Sequence, residues 1–198
     1  MKLWTIQPVC WYNILFEKNV IAGDIRYIEP DFIPAYNWLV QQMIERIGNK
    51  PDNVQYPIWA WYHYLNEKKK KPDLRNSHFG QKGGKSVLIE IEKNEKDVLL
   101  SDFTLWHHPL GLPYYIGDTE EDTLDFESEL ENLGYDTRLS ETLPEKYQKK
   151  IIQSWEKIFD MNFDDPYFAN LFSEKSIQAT FWQLNLSEVV SVRYFTSR

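Results

Sequence analysis

The stretch Tyr56-Pro57-Ile58-Trp59-Ala60-Trp61-Tyr62-His63-Tyr64 is a dense aromatic run that leads directly into a lysine-rich segment. Alternate residues of a strand point to opposite faces, so Trp59, Trp61 and His63 would share one face and the residues between them the other. Both faces would consist mainly of aromatic and aliphatic side chains, so neither face is expected to be exposed to water. A strand of this kind lies inside a sheet or lines a cleft for a flat ligand, and the run alone favours neither.

The length, the apolar runs and the cysteine content restrict the number of domains and the location of the protein. With 198 residues, one domain spanning residues 1–198 is the expectation. No run of about 18 apolar residues and no signal-peptide pattern is present, so we predict a cytoplasmic protein without a membrane contact. The single cysteine, Cys10, excludes an internal disulfide framework and is expected to be a small buried side chain.

The net charge of −8 is unevenly distributed. Basic residues concentrate between Asn66 and Lys85, and acidic residues between Asp118 and Glu131. Such runs are usually solvated surfaces. The basic run, however, joins the aromatic strand, which favours a phosphate or nucleic-acid contact. The candidate substrate-binding residues are Lys69, Lys70, Lys71 and Arg75.

Hydrophobic periodicity predicts the order of elements. The predicted strands are residues 2–7, 56–64, 86–92, 98–103, 177–184 and 189–195. The predicted helices are residues 8–18, 34–47, 120–133 and 144–159, and the Gly- and Pro-containing residues 109–123 are expected to form a loop. This order does not alternate as in a doubly wound sheet. It predicts an α+β fold with a mixed or antiparallel sheet and flanking helices.

Several familiar chemistries are excluded by their missing motifs. The chain has no phosphate-binding loop, no dinucleotide fingerprint, no H-E-x-x-H and no G-x-S-x-G. His107 and His108 are adjacent, and on a strand they would point to opposite faces. Because His63 and His78 lie elsewhere in the sequence, we expect no metal site.

Two further positions have a functional and a structural interpretation. Asp102 follows a predicted strand among aromatic residues, so it could act as a general base or simply cap the next turn. Gln178, Thr180 and Trp182 share one face of a predicted strand. That face would either contact a ligand or lie half-exposed in solvent.

Three segments resemble those of an uncharacterised bacterial family of unknown function. They are Leu3-Trp4-Thr5-Ile6-Gln7-Pro8, Tyr56-Pro57-Ile58-Trp59-Ala60-Trp61-Tyr62 and Ile177-Gln178-Ala179-Thr180-Phe181-Trp182. The resemblance covers nearly the whole chain and implies no activity.

The order of segments is also distantly similar to that of bacterial DNA-targeting ADP-ribosyltransferase toxins. Their opening strand and helix resemble residues 4–15, and their V-P-F-Y-F strand with its basic loop resembles residues 56–75. Their T-D strand end resembles Ser101-Asp102, and their catalytic motif Q-A-E-F-L resembles residues 178–182. This similarity implies an ADP-ribosyltransferase-like fold and NAD as the cofactor.

The resemblance breaks at the catalytic positions. Thr180 stands where the toxins carry the catalytic glutamate, and Trp4 or Gln7 stands where they carry the histidine that holds the ribose. A neutral threonine cannot offset a developing positive charge as a carboxylate does. Either another acid such as Asp102 has taken over, or the chain binds without turnover.

The leading hypothesis is an NAD-dependent ADP-ribosyltransferase-like protein of a toxin or defence system that modifies nucleic acid or protein. In it, Trp59 and Trp61 stack on the nicotinamide and Gln178 and Thr180 hold the ribose, while residues 68–75 receive pyrophosphate or nucleic acid. The first alternative is a non-catalytic module of the same fold that binds a nucleotide or nucleic acid. The second is an interaction protein whose aromatic residues are core.

Overall fold

The computed structural model describes residues 1–48, 50–75, 79–80, 82–111, 114–135 and 142–197. The chain divides into two compact units, one formed by Met1–Leu100 with Ser176–Arg198 and the other by Ser101–Lys175. A single domain stays a prediction, because two compact units can belong to one domain. In the described part of the chain, no helix is long and apolar enough to cross a membrane.

The first unit carries the strands and the first two helices. Its helices are α1 (Val9–Lys18) and α2 (Ile33–Ile47). The strands, the fifth of which continues into the second unit, are β1 (Lys2–Pro8), β2 (Val20–Ala22), β3 (Ile58–His63), β4 (Lys85–Glu92), β5 (Leu99–Asp102), β6 (Ile177–Phe181), β7 (Gln183–Asn185) and β8 (Val189–Thr196). The predicted strand 177–184 is in fact two strands, β6 and β7, which belong to different sheets.

The main sheet has six strands in the order β5-β6-β3-β1-β4-β8, and a second sheet pairs β2 with β7. The strands of the main sheet are antiparallel, which confirms the α+β class and the antiparallel sheet. The aromatic strand β3 lies between β6 and β1, so it is inside the sheet. The ADP-ribosyltransferase-like fold stays a prediction.

One face of the main sheet packs against α1. The buried side chains of this core include Trp11 and Leu15 from the helix. From the strands and their flanking residues they are Leu3, Ile58, Ala60, Val87, Ile89, Ile91, Val98, Ala179, Phe181 and Leu184. Because Ile58 and Ala60 face this core, Trp59 and Trp61 lie on the opposite face. Cys10 is exposed rather than buried, since it lies on the outer side of α1.

The second unit is helical. It contains α3 (Phe103–Gly111), α4 (Glu120–Asn132) and α5 (Glu145–Ser154), and α5 continues into a 3₁₀ turn. The predicted helices 120–133 and 144–159 are confirmed. The predicted loop 109–123 is wrong at both ends, since α3 extends to Gly111 and α4 begins at Glu120. His107 and His108 therefore lie on a helix and not on a strand.

Candidate functional site

A cleft of about 200 Å³ lies at the end of the main sheet, where β1 ends and β3 begins. We call it the aromatic cleft, and its walls include Gln7, Trp11, Tyr27, Tyr36 and Trp59. Two of the residues predicted to bind the cofactor, Gln7 and Trp59, therefore both line this cleft. Aromatic walls with few polar groups are typical of sites for flat ligands.

The wall formed by Trp59 is held in a fixed orientation. Its ring meets Tyr36 edge to face at a centroid distance of 6.0 Å, and Tyr36 meets Tyr56 in the same way, also at 6.0 Å. The Tyr56 hydroxyl donates to Asn37 Oδ1 at 3.0 Å. Burial raises the pKa of Tyr36, and a hydrogen bond with Trp59 partly opposes that shift. The phenol therefore stays neutral near pH 7 and can donate a hydrogen bond.

The side chain of Gln7 is fixed by a short chain of hydrogen bonds. Its Nε2 donates to Thr5 Oγ1 at 2.9 Å, and that hydroxyl donates to the Trp59 carbonyl at 2.8 Å. Since Gln7 is only partly buried, its amide lies at the edge of the aromatic cleft. An amide in this position can both donate to and accept from the edge of a heteroaromatic ring.

Gly23 lines the aromatic cleft and lets its segment approach the chain that leads into β3. It forms an antiparallel bridge with Tyr56, and a Cβ on Gly23 would lie 2.3 Å from the Pro57 carbonyl oxygen. Only glycine fits this close approach of two backbones. No sequence motif indicated that Gly23, Tyr27 or Tyr36 would line this cleft, since they come from outside the strands that form the sheet.

The other predicted cofactor residues lie in a row across the sheet, which we call the tryptophan row. Register pairs Gln178 with Trp61, Trp61 with Trp4, and Trp4 with Glu90, so the four side chains share one face. Trp4 is only 8% exposed and its Nε1 donates to Glu90 Oε2 at 3.2 Å. Trp4 therefore has little surface on which a ligand could stack.

Gln178 has a buried acceptor at the far end of this row. Its Oε1 atom accepts no hydrogen bond from the part of the chain that the structure describes. Buried polar atoms usually have a partner, so this atom is a candidate acceptor for a ligand N–H or O–H.

Glu90 is a carboxylate that the sequence did not single out. Its Oε1 lies 2.8 Å from Lys2 Nζ, and its Oε2 lies 3.9 Å from Lys71 Nζ. The hydrogen-bonded Lys2 ammonium lowers the pKa of Glu90, with further help from Trp4 and Lys71. The side chain is 15% exposed, so the tryptophan row ends in an ionised and partly exposed carboxylate. The alternating pattern of residues 86–92 predicted the strand. It did not predict which side chains would lie beside Glu90.

Thr180, the predicted catalytic residue, is fully buried. It pairs with Trp59 in register, and its Oγ1 donates to the Leu99 carbonyl at 3.3 Å. This hydrogen bond satisfies the hydroxyl within the protein. The catalytic assignment of Thr180 stays a prediction.

Asp102, the other predicted catalytic acid, is also buried. Its Oδ1 accepts from the backbone N–H groups of Thr104 at 2.8 Å and Leu105 at 3.3 Å, which caps the start of α3. Its Oδ2 accepts from Lys175 Nζ at 2.7 Å, and Lys175 is 1% exposed. The capping alternative is therefore present in the structure, and a role as a general base stays a prediction.

The predicted substrate-binding residues lie on a turn that follows β3. The Asn66 side chain accepts from the backbone N–H groups of Lys68 and Lys69, both at 3.0 Å, which shapes the turn. Lys70 Nζ lies 5.4 Å from the centre of the Tyr62 ring. Arg75 Nε donates to both carboxylate oxygens of Asp73, at 2.9 and 3.0 Å. Lys69, Lys71 and Arg75 are exposed, so a polyanion can reach them.

In residues 1–48, 50–75, 79–80, 82–111, 114–135 and 142–197, no group of three or more His, Cys, Asp or Glu side chains is arranged to hold a metal ion. His78 lies outside the described residues.

The profile of one protein family, "Domain of unknown function (DUF3841)", matches residues 2–190. The chain therefore belongs to this family, which confirms the predicted membership of a family of unknown function. No curated protein and no solved structure matches the chain. The similarity to ADP-ribosyltransferase toxins and the bacterial origin stay predictions.

Proposed function

We propose that this member of the DUF3841 family binds a nucleotide, that NAD is the first ligand to test, and that the aromatic cleft receives the ligand's flat ring. The observation that carries the proposal is the meeting of Gln7 and Trp59, which lie 52 positions apart in the sequence, in one cleft with Tyr27 and Tyr36. Among the functions predicted from the sequence, this is the non-catalytic module that binds a nucleotide, and the aromatic cleft is its binding site.

The chemistry of the walls suits a nucleobase or a nicotinamide ring. Aromatic side chains stack on either ring without regard to its identity, and such a contact contributes about 1–3 kcal/mol per base. The Gln7 amide adds hydrogen bonds at the edge of the ring, and these would select among rings of similar shape. Tyr36 holds Trp59 in place, so the ring of the ligand meets a prearranged surface.

Titration of NAD into the native protein and into a Trp59→Ala variant tests the proposal. We expect the variant to bind about ten- to a hundredfold more weakly, because one stacking surface is lost. Trp155→Ala is the matched control, since Trp155 is a buried tryptophan of the second unit. It should lower stability and leave the affinity unchanged. Equal affinity of the Trp59→Ala variant and the native protein would contradict the proposal.

A second candidate function is ADP-ribosyl transfer from NAD, and the tryptophan row favours it. The sequence-predicted Trp61 and Gln178 are direct neighbours on adjacent strands, and Trp59 faces Thr180 in the same ladder. In this reaction the bond between nicotinamide and ribose breaks, and positive charge develops on the ribosyl carbon. A carboxylate offsets that charge. Glu90 is a partly exposed acid on this face of the sheet, and it is ion-paired with Lys2. Thr180 and Asp102 are both buried.

Release of nicotinamide from NAD distinguishes transfer from binding. If the chain is a transferase, Glu90→Gln should slow release by at least about a hundredfold, because a neutral amide cannot offset the charge. Lys2→Met is the control, since it removes a partner of Glu90 and keeps the carboxylate. Binding of NAD without release of nicotinamide would contradict the transferase function and support nucleotide binding.

The basic residues support nucleic acid as an acceptor or a second partner. Reversal of Lys69, Lys70 and Lys71 to glutamate should then abolish binding of a DNA or RNA oligonucleotide and flatten its dependence on salt. If the charge-reversed variant binds the oligonucleotide as tightly as the native protein does, the turn is only a solvated surface. NAD affinity serves as the internal control, because none of these lysines lines the aromatic cleft.

A further inference from the structure

A second cleft of about 290 Å³ lies beside the aromatic cleft in the same unit. The two clefts share Trp11, Asp24 and Tyr27 as wall residues. The second one, which we call the basic cleft, also has Lys18 and Arg26 in its walls. The shared residues make the two clefts direct neighbours.

The sizes of the clefts indicate that one ligand would occupy both. Sites for small molecules usually have volumes of about 300–1,000 Å³. The aromatic cleft, at about 200 Å³, is below this range and holds little more than a ring. Together with the basic cleft it falls within the range, so the rest of the ligand has room next to the ring.

Arg26 is held in a fixed orientation by Asp24. The Arg26 Nε donates to both carboxylate oxygens, at 3.0 and 2.9 Å, and Nη2 donates to Oδ2. The Arg26 backbone N–H also donates to Oδ1 at 2.9 Å, so the carboxylate fixes both the backbone and the side chain. The hydrogen-bonded Arg26 lowers the pKa of Asp24, and the same pair raises the pKa of Arg26.

The remaining guanidinium donors suit a phosphate. A guanidinium has five N–H groups in a planar fork that matches a tetrahedral anion, and the bonds to Asp24 use its Nε–Nη2 edge. Arg26 is 78% exposed at its side chain, so the other edge can be reached from solvent. Lys18 supplies a second cation in the same cleft. Because the Asp24 carboxylate repels an anion, the phosphate would bind at the edge of Arg26 that faces away from Asp24.

We infer that the basic cleft binds the phosphate of the nucleotide whose ring lies in the aromatic cleft, with Arg26 as the main contact and Lys18 as the second. The inference rests on the proposed function, since it needs the ring in the aromatic cleft. It gives the phosphate of the nucleotide its own contacts, so a nucleotide should bind more tightly than its nucleoside or the free base.

Two matched pairs of ligands test the inference by titration calorimetry. One pair is adenosine and AMP, and the other is nicotinamide riboside and nicotinamide mononucleotide. Each pair keeps the ring and differs by one phosphate, so the test holds whichever ring enters the cleft. We expect the phosphorylated member to bind about tenfold more tightly or better, because a charge-assisted hydrogen bond is added.

The variants are Arg26→Ala, Arg26→Lys and Lys18→Gln. Arg26→Ala should remove most of the preference for the phosphorylated ligand and leave the affinity for the nucleoside unchanged. Arg26→Lys should restore part of the preference, since it keeps the charge but loses the fork. Lys18→Gln should have the smaller effect. Because Arg26 and Lys18 are exposed, all three variants should fold.

The outcomes separate this inference from the proposed function. Equal binding of both members of each pair, or a preference that survives Arg26→Ala, overturns the phosphate site and leaves the ring site intact. Failure of all four ligands and of NAD to bind overturns both.

Discussion

The aromatic cleft and the buried polar residues of the chain differ in how their polar groups are satisfied. In the cleft, Gln7 lies at an accessible edge beside Trp59. At the buried positions, the Thr180 hydroxyl is bonded to the Leu99 carbonyl, and the Asp102 carboxylate is bonded to Lys175. Both kinds of residue look alike in a sequence, where each is a polar side chain among aromatic ones. Only the accessible kind can contact a ligand without rearrangement of the protein.

This difference predicts two kinds of mutational effect. Changes at the buried positions should lower stability and leave ligand affinity unchanged, and changes at the cleft should lower ligand affinity. Four substitutions test this contrast.

Asp102→Asn should have the largest effect on stability. It leaves the Lys175 ammonium buried without a counter-charge, which costs about 3–5 kcal/mol of unfolding free energy. Denaturation in urea measures the loss. Adding Lys175→Met to this variant removes the buried charge and should restore much of the stability, which makes the double variant the control. A stable Asp102→Asn protein that has lost an NAD-dependent activity would instead support the role of Asp102 as a catalytic acid.

Gly23→Ala should affect both stability and affinity, because Gly23 lies at the aromatic cleft. The added Cβ would lie 2.3 Å from the Pro57 carbonyl oxygen, so one backbone segment must move, at a cost of about 1–3 kcal/mol. The movement displaces a wall of the cleft, and NAD affinity should fall as well. Gly111→Ala is the control, since a Cβ there would meet nothing within 4 Å. Unchanged NAD affinity in a destabilised Gly23→Ala protein would show that the ring lies elsewhere.

Thr180→Val removes one hydroxyl and keeps the shape of the side chain. We expect the unfolding free energy to fall by about 1 kcal/mol, because the Leu99 carbonyl loses a buried donor. NAD affinity should not change. A drop in affinity without a drop in melting temperature would mean that the Thr180 hydroxyl contacts the ligand, and the resemblance to the transferases would gain support.

The sequence predicted the parts of the fold that depend on local pattern. Strand β1, helix α1 and the aromatic strand β3 follow from turn residues and hydrophobic periodicity within about ten residues. Helix α3 was missed because Pro109 and Gly111 are typical of loops, whereas Asp102 caps the helix from the preceding strand. The burial of Asp102 and Thr180 depends on partners many residues away, and no local pattern indicates them.

The candidate site was predicted in part for the same reason. Gln7 and Trp59 come from strands that the periodicity identified, and their neighbourhood follows once β1 and β3 pair. Tyr27, Gly23 and Arg26 come from irregular segments whose path is fixed only by tertiary contacts. Glu90 was predicted to lie on a strand, but its position beside Trp4 depends on register, which sequence does not specify at this range.

His63 tests a prediction of the alternating pattern. The pattern assigned His63 to the face of Trp61, but the register of β3 shifts between these two residues, and the His63 ring stacks on Tyr62 at 4.4 Å. Burial lowers the pKa of His63, the nearby Lys70 adds to this shift, and Glu67 opposes it. The folded chain therefore binds the proton less readily than the unfolded chain, whose histidine has a pKa of about 6.5.

The sign of the pH effect on stability follows from that difference. Below about pH 6.5 the unfolded state holds more protons than the folded state, so the unfolding free energy should decrease as the pH falls from 7.5 to 5.5, by at most about 1.4 kcal/mol per pH unit and proton. His63→Phe keeps a ring for Tyr62 and removes the titration, so this variant should show a shallower slope. Burial also lowers the pKa of His108, in the second unit, and should leave a residual slope of the same sign that His108→Phe removes. Identical slopes for the native protein and His63→Phe would mean that folding does not lower the pKa of His63.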